Sequence, residues 1–100
     1  MGLEYAIDEL YSSGWGTLDT TGCQFGPDGR VFPGMERIAR EFRQDGCELE
    51  IMEVPEFGCF CAEWLQNGEK AGSVVSETAH EAAVYALARH RRSRTPVATA

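Results

Sequence analysis

The sequence predicts an α+β fold: an α-β-β-β-α core with an antiparallel three-stranded sheet, preceded by an N-terminal helix and a short hairpin. Three observations carry this. The apolar period changes from 3.6 to 2 at Cys47, the Asn67-Gly68 pair marks a tight turn inside the alternating region, and an alanine-rich helical stripe follows Thr78.

Taken in order, Leu3, Ala6, Ile7 and Leu10 recur at helical spacing, and Gly14 is a stop signal, so a first helix is expected over about residues 3–13. Gly26-Pro27-Asp28-Gly29 is a turn between Cys23-Gln24-Phe25 and Arg30-Val31-Phe32, which predicts the hairpin. Pro33 suits the first turn of a second helix, whose apolar stripe is Met35, Ile38, Ala39 and Phe42 and whose end is Gly46. Arg37, Arg40 and Arg43 are expected on its solvated face. Glu48-Leu49-Glu50-Ile51 alternates as a strand that Pro55 ends; strands at 58–65 and 71–76 follow. The last helix is expected to open at Ser76 or Thr78; Thr78-Ala79-His80-Glu81 has capping-box spacing, and Ala79, Ala82, Ala83, Ala86 and Leu87 form the helix's apolar face.

A chain of 100 residues supports one hydrophobic core, so residues 1–92 read as a single domain and 93–100 as a disordered tail. No stretch reaches the roughly 20 apolar residues of a membrane span, and Met1–Gly14 is acidic and amphipathic, unlike a secretory signal. The expectation is a cytoplasmic protein whose cysteines, Cys23, Cys47, Cys59 and Cys61, are reduced. Net charge is −7, unevenly spread: residues 1–88 hold all sixteen acids against five bases, a net of −11, while Arg89, Arg91, Arg92 and Arg94 cluster at the end of the last helix. An acidic body repels phosphate backbones, which argues against general nucleic-acid binding.

Candidate chemistry is sparse. Cys59-Phe60-Cys61 places two thiols on one strand face, about 7 Å apart, too far for a disulfide. With Cys59 and Cys61 packed toward the helices, Phe60, Ala62 and Trp64 would face the other way, either as an open aromatic patch or beneath a third layer made by the first helix, Trp15 and the hairpin. Trp15, Phe57, Phe60 and Trp64 are the candidate binding residues. His80 and His90, ten apart on one helix, form no joint ligand pair. Glu48, Glu50, Glu53 and Glu56 read as a wet strand face, and Gly14-Trp15-Gly16 lacks the context of a phosphate loop. No catalytic residue and no cofactor is assigned; a metal or redox role of Cys59 and Cys61 is the minor alternative.

The element order over residues 34–92, with the Ser76–Leu87 segment Ser-Glu-Thr-Ala-His-Glu-Ala-Ala-Val-Tyr-Ala-Leu, resembles the double-stranded-RNA-binding domain. That resemblance implies the fold and not the activity, because Glu77, Thr78 and His80 stand where the family presents a lysine-rich helix N-terminus, and Val54–Gly58 lacks its loop histidine. Ser76–Leu87 is fainter in its similarity to the βββα core of HicB-type antitoxins, which cover a protein partner. The whole chain, with Trp15-Gly16-Thr17-Leu18-Asp19-Thr20-Thr21-Gly22 after its first helix, also resembles short bacterial proteins of no assigned function. The expected function is therefore a small non-enzymatic module that binds another protein, monomeric or weakly dimeric. Nucleic-acid binding through Arg89, Arg91, Arg92 and Arg94 is the alternative.

Overall fold

The computed structural model describes residues 2–26 and 28–94. The elements run α1 (Leu3–Ser12), β1 (Cys23–Phe25), β2 (Val31–Pro33), α2 (Met35–Gln44), β3 (Cys47–Val54), a 3-10 turn (Pro55–Phe57), β4 (Cys59–Gln66), β5 (Glu69–Ser76) and α3 (Ala79–Arg94). The chain is a small α+β fold with the expected α-β-β-β-α layout. Strands β1 and β2 form a two-stranded antiparallel sheet, and β3-β4-β5 a three-stranded antiparallel one with β4 in the centre.

Two boundaries move for physical reasons. Pro33 does not open the second helix. It closes β2 opposite Cys23, and Gly34 precedes the first helical residue in extended conformation. Proline's missing N–H is harmless at the last position of a short edge strand. The tail expected over 93–100 does not include Ser93 and Arg94, which belong to α3; residues 95–100, and Pro27 of the hairpin turn, lie outside the described residues.

The β4–β5 turn follows its sequence signal. Asn67 and Gly68 both have positive φ, 56° and 81°, a pair of left-handed conformations that asparagine and glycine accept most readily. At the other end of the sheet, Thr78 Oγ1 accepts the Glu81 N–H at 3.1 Å and the Thr78 carbonyl accepts the Ala82 N–H at 3.0 Å, so Thr78 caps α3.

Helices α2 and α3 cover one face of the large sheet, α2 over β3 and α3 over β4 and β5. The core between them contains Ile38, Phe42, Ala62, Trp64, Val74, Ala83, Ala86 and Leu87. Phe42 and Trp64 lie 5.7 Å apart ring to ring, tilted, an arrangement that adds about 0.5–1.5 kcal/mol to the burial of each ring. Helix α1 packs chiefly on α3 through Ala6, Ile7 and Leu10. The alanines at 82, 83, 86 and 88 let neighbours approach α3 closely on several sides.

Trp15 follows α1 directly, its N–H reaching back to the Leu10 carbonyl at 3.3 Å, and joins the same core at 5% exposure. Its indole N–H donates to Glu41 of α2 at 3.1 Å. The hairpin is tied down from three sides. The Tyr11 hydroxyl donates to the Val31 carbonyl at 2.6 Å, His80 Nε2 donates to the Pro33 carbonyl at 2.9 Å, and Arg30 bridges Asp8 and Asp28.

Candidate interaction surface

The antiparallel register decides which side chains share a face. Ala62 is fully buried, Trp64 is 4% exposed, and both sit in the core beneath the helices. Residues directly opposite each other point the same way, so Leu49, Trp64 and Gly72 share the helical face, as do Ile51, Ala62 and Val74. The intervening residues necessarily occupy the other face: Met52, Cys61 and Val75 in one row, Glu50, Glu63 and Ser73 in the next, with Val54 beside Cys59 at one end.

This reverses the expected parity. Cys59 and Cys61 do not pack toward the helices; they lie half-buried on the opposite face, while Phe60, Ala62 and Trp64 turn inward. A one-residue change of parity moves every side chain of a strand to the other face. The reason for the observed choice is legible at position 72. The Trp64 indole lies across Gly72 of β5, where a Cβ would overlap its six-membered ring. Only glycine opposite leaves space for the ring.

The four aromatic candidates are therefore not one patch. Trp15 and Trp64 are core residues, and Phe60 packs partly against the core. Phe57 alone stands out, 80% exposed on the turn between β3 and β4. The first helix and Trp15 do form an extra layer, but on the helical side rather than over the open side of the sheet. The face they leave uncovered carries Met52 at 44% and Val75 at 61% exposure.

Electrostatics divide that face. Glu50 stands directly opposite Glu63, a like-charge pair that costs stability, and Lys70 offsets it with an ion pair to Glu63 at 3.3 Å. Glu48 extends the acidic half along β3. The result is an apolar row of Met52, Cys61 and Val75 bordered by carboxylates. Among the described residues no three His, Cys, Asp or Glu side chains converge as metal ligands.

The arginines divide into two groups. Arg37 is not on a solvated face: it is a clamp, donating from Nε to Glu41 at 2.9 Å, from Nη1 to the carbonyls of Asp19 and Thr21 at 2.9 and 2.7 Å, and from Nη2 to Thr17 Oγ1 at 3.0 Å. The signal for this was present only as the Thr-rich passage 17–21, whose carbonyls need donors once the passage lies over α2. Arg40 and Arg43 remain exposed. On the last turns of α3, Arg92 pairs with Glu9 of α1 at 2.8 Å, and Arg89 is exposed beside β5. His90 is 5% exposed and its Nε2 lies 2.9 Å from Asp45, joining the ends of α2 and α3.

Comparison with protein-family models, curated proteins and solved structures finds no match. No helix among the described residues is long and apolar enough to cross a membrane.

Proposed function

We propose that this chain is a non-enzymatic protein-binding module whose open sheet face receives a partner bearing apolar and basic side chains. The observation that carries the reading is the uncovered Met52-Cys61-Val75 row beside Glu48, Glu50 and Glu63. An apolar row at the centre with charges at its border is the anatomy of a protein interface, and the acidic border selects for a cationic partner. An acidic body also disfavours a nucleic-acid partner, as the charge count over residues 1–88 implies.

The test is a comparative capture experiment with the wild-type chain and the double variant Met52→Arg/Val75→Arg. Both positions are exposed, so the variant should unfold within about 0.5 kcal/mol of wild type per substitution. Proteins enriched by the wild type should fall at least tenfold with the variant, and their contact surfaces should carry lysine or arginine. Identical captured sets at equal stability would remove the open face from consideration.

A further inference from the structure

The open sheet face meets a second feature at its β5 border. β5 is an edge strand, and between it and α3 runs a groove of about 600 Å³ lined by Cys59, Ser73–Ser76, Glu77, Glu81, Tyr85 and Arg89. The volume lies within the range of ligand-binding clefts. One wall is strand backbone with no neighbouring strand on its outer side among the described residues. The other is one stripe of α3, since positions 81, 85 and 89 are spaced by four.

Glu81 is the informative residue. It is 6% exposed, yet among the described residues its carboxylate makes no hydrogen bond or ion pair. The Thr78–Glu81 spacing should produce a reciprocal capping box, in which the glutamate side chain returns to the cap's N–H. Only half of it forms: Thr78 Oγ1 accepts the Glu81 N–H, and the carboxylate lines the groove instead. With no protein cation beside it among the described residues, this carboxylate is left for a cation entering the groove to pair with. Tyr85, next along the stripe, has its hydroxyl pushed above the ordinary phenol range, first by burial and then by the Glu81 charge. Arg89 closes the far end, with no ion pair among the described residues.

We infer that the groove takes an extended segment of another polypeptide as a fourth strand along β5, with a lysine or arginine of that segment directed at Glu81. The inference rests on the reading of this chain as a protein-binding module and names the partner's chemistry. Strand addition at an exposed edge takes its affinity from main-chain hydrogen bonds and its specificity from alternate side chains. From Glu81 to Arg89 is eight residues of helix, about 12 Å, or nearly four residues of strand at about 3.3 Å each. Side chains four apart on a strand share a face, so the segment bears its cation at one position and an acidic group or its C-terminal carboxylate about four residues away, against Arg89. β3, the other edge, is a poorer acceptor for such a segment, because Glu48, Glu50 and Glu53 crowd it with acids on both faces.

The experiment is selection of a random dodecapeptide library on the full chain, repeated on Glu81→Gln and Glu81→Lys. Synthetic versions of the enriched peptides are then titrated by amide chemical shift. The expected result is enrichment of a basic and an acidic residue about four apart, with shifts concentrated on Ser73–Ser76 and on Glu81–Arg89. Glu81→Gln, nearly isosteric and therefore folded alike, should weaken binding at least tenfold, and Glu81→Lys should convert the basic preference to an acidic one. Peptides that bind the Gln variant as tightly as wild type, or that shift only Met52 and Cys61, would overturn the groove while leaving the sheet face as the binding surface. A library with no enriched peptide would also overturn it, and the sheet-face reading would still stand or fall on the arginine double variant.

Discussion

At the scale of the residue, the sharpest constraint is Gly72. A methyl group there would meet Trp64 Cε2 at 2.8 Å, and Phe42 packs against the same indole with ring centroids 5.7 Å apart. Overpacking of this kind costs about 1–3 kcal/mol, so Gly72→Ala should lower the urea midpoint accordingly. Trp64→Phe, which removes the overlapping ring, should reduce that cost, and a double-mutant cycle will read the coupling. If the two substitutions add without coupling, Trp64 does not lie over Gly72. Arg37 supports a second prediction. Its planar fork serves Glu41, Thr17 and the Asp19 and Thr21 carbonyls at once, and lysine cannot reproduce that geometry. Arg37→Lys should cost about 1–3 kcal/mol, and it should change Trp15 fluorescence, because Glu41 also accepts the Trp15 indole N–H. Arg40→Lys, on an exposed neighbour, should be silent.

At the scale of the element, the hairpin shows what side-chain tethers do, and His80 supplies the one from α3. β1 and β2 are three residues each, too short to persist alone. His80 holds them to α3 by its bond to the Pro33 carbonyl and by ring contact with Phe32 at 5.4 Å. His80→Ala should therefore raise hydrogen exchange across Cys23–Pro33 while α3 and the large sheet keep their protection. Uniform loss of protection would mean that the hairpin is integral to the global transition. Elements are legible in the sequence wherever local chemistry suffices: Asn67-Gly68 sets the β4–β5 turn, Thr78 rather than Ser76 proves to be the cap of α3, and the alternation from Cys47 sets the strand β3. Parity on β4 is not, since Cys59-Phe60-Cys61-Ala62-Glu63-Trp64 is apolar on both faces except at Glu63. The glycine that selects the inward face lies eight residues downstream of Trp64 and acts only through cross-strand pairing. Pro33 is ambiguous in the sequence for a similar reason: it is acceptable at a helix start and at a strand end, and pairing with Cys23 decides between them.

At the scale of the whole molecule, the order of layers determines which surface is free. α1 and Trp15 had two possible places, over the open sheet face or on the helical side, and composition does not distinguish them because both faces of β4 are apolar. The helical side wins because α3 offers alanines at 82, 83, 86 and 88, against which Ala6, Ile7 and Leu10 can close. This layer order makes a direct chemical prediction about the four thiols. Cys47 is buried in the core at the start of β3, and the other three are half-buried. Cys59 and Cys61 face the open side of the sheet. Cys23 sits under the Arg37 clamp, its thiol pushed up by burial against the opposing pull of the Arg37 guanidinium, so less of it is thiolate near pH 8. Timed alkylation with iodoacetamide under native conditions, read by peptide mass spectrometry, should label Cys59 and Cys61 first, Cys23 more slowly, and Cys47 only on unfolding. If α1 instead lay over the sheet, Cys59 and Cys61 would be protected together and would react only at the rate of Cys47. That outcome would remove the open face and, with it, every binding argument built on Met52 and Val75.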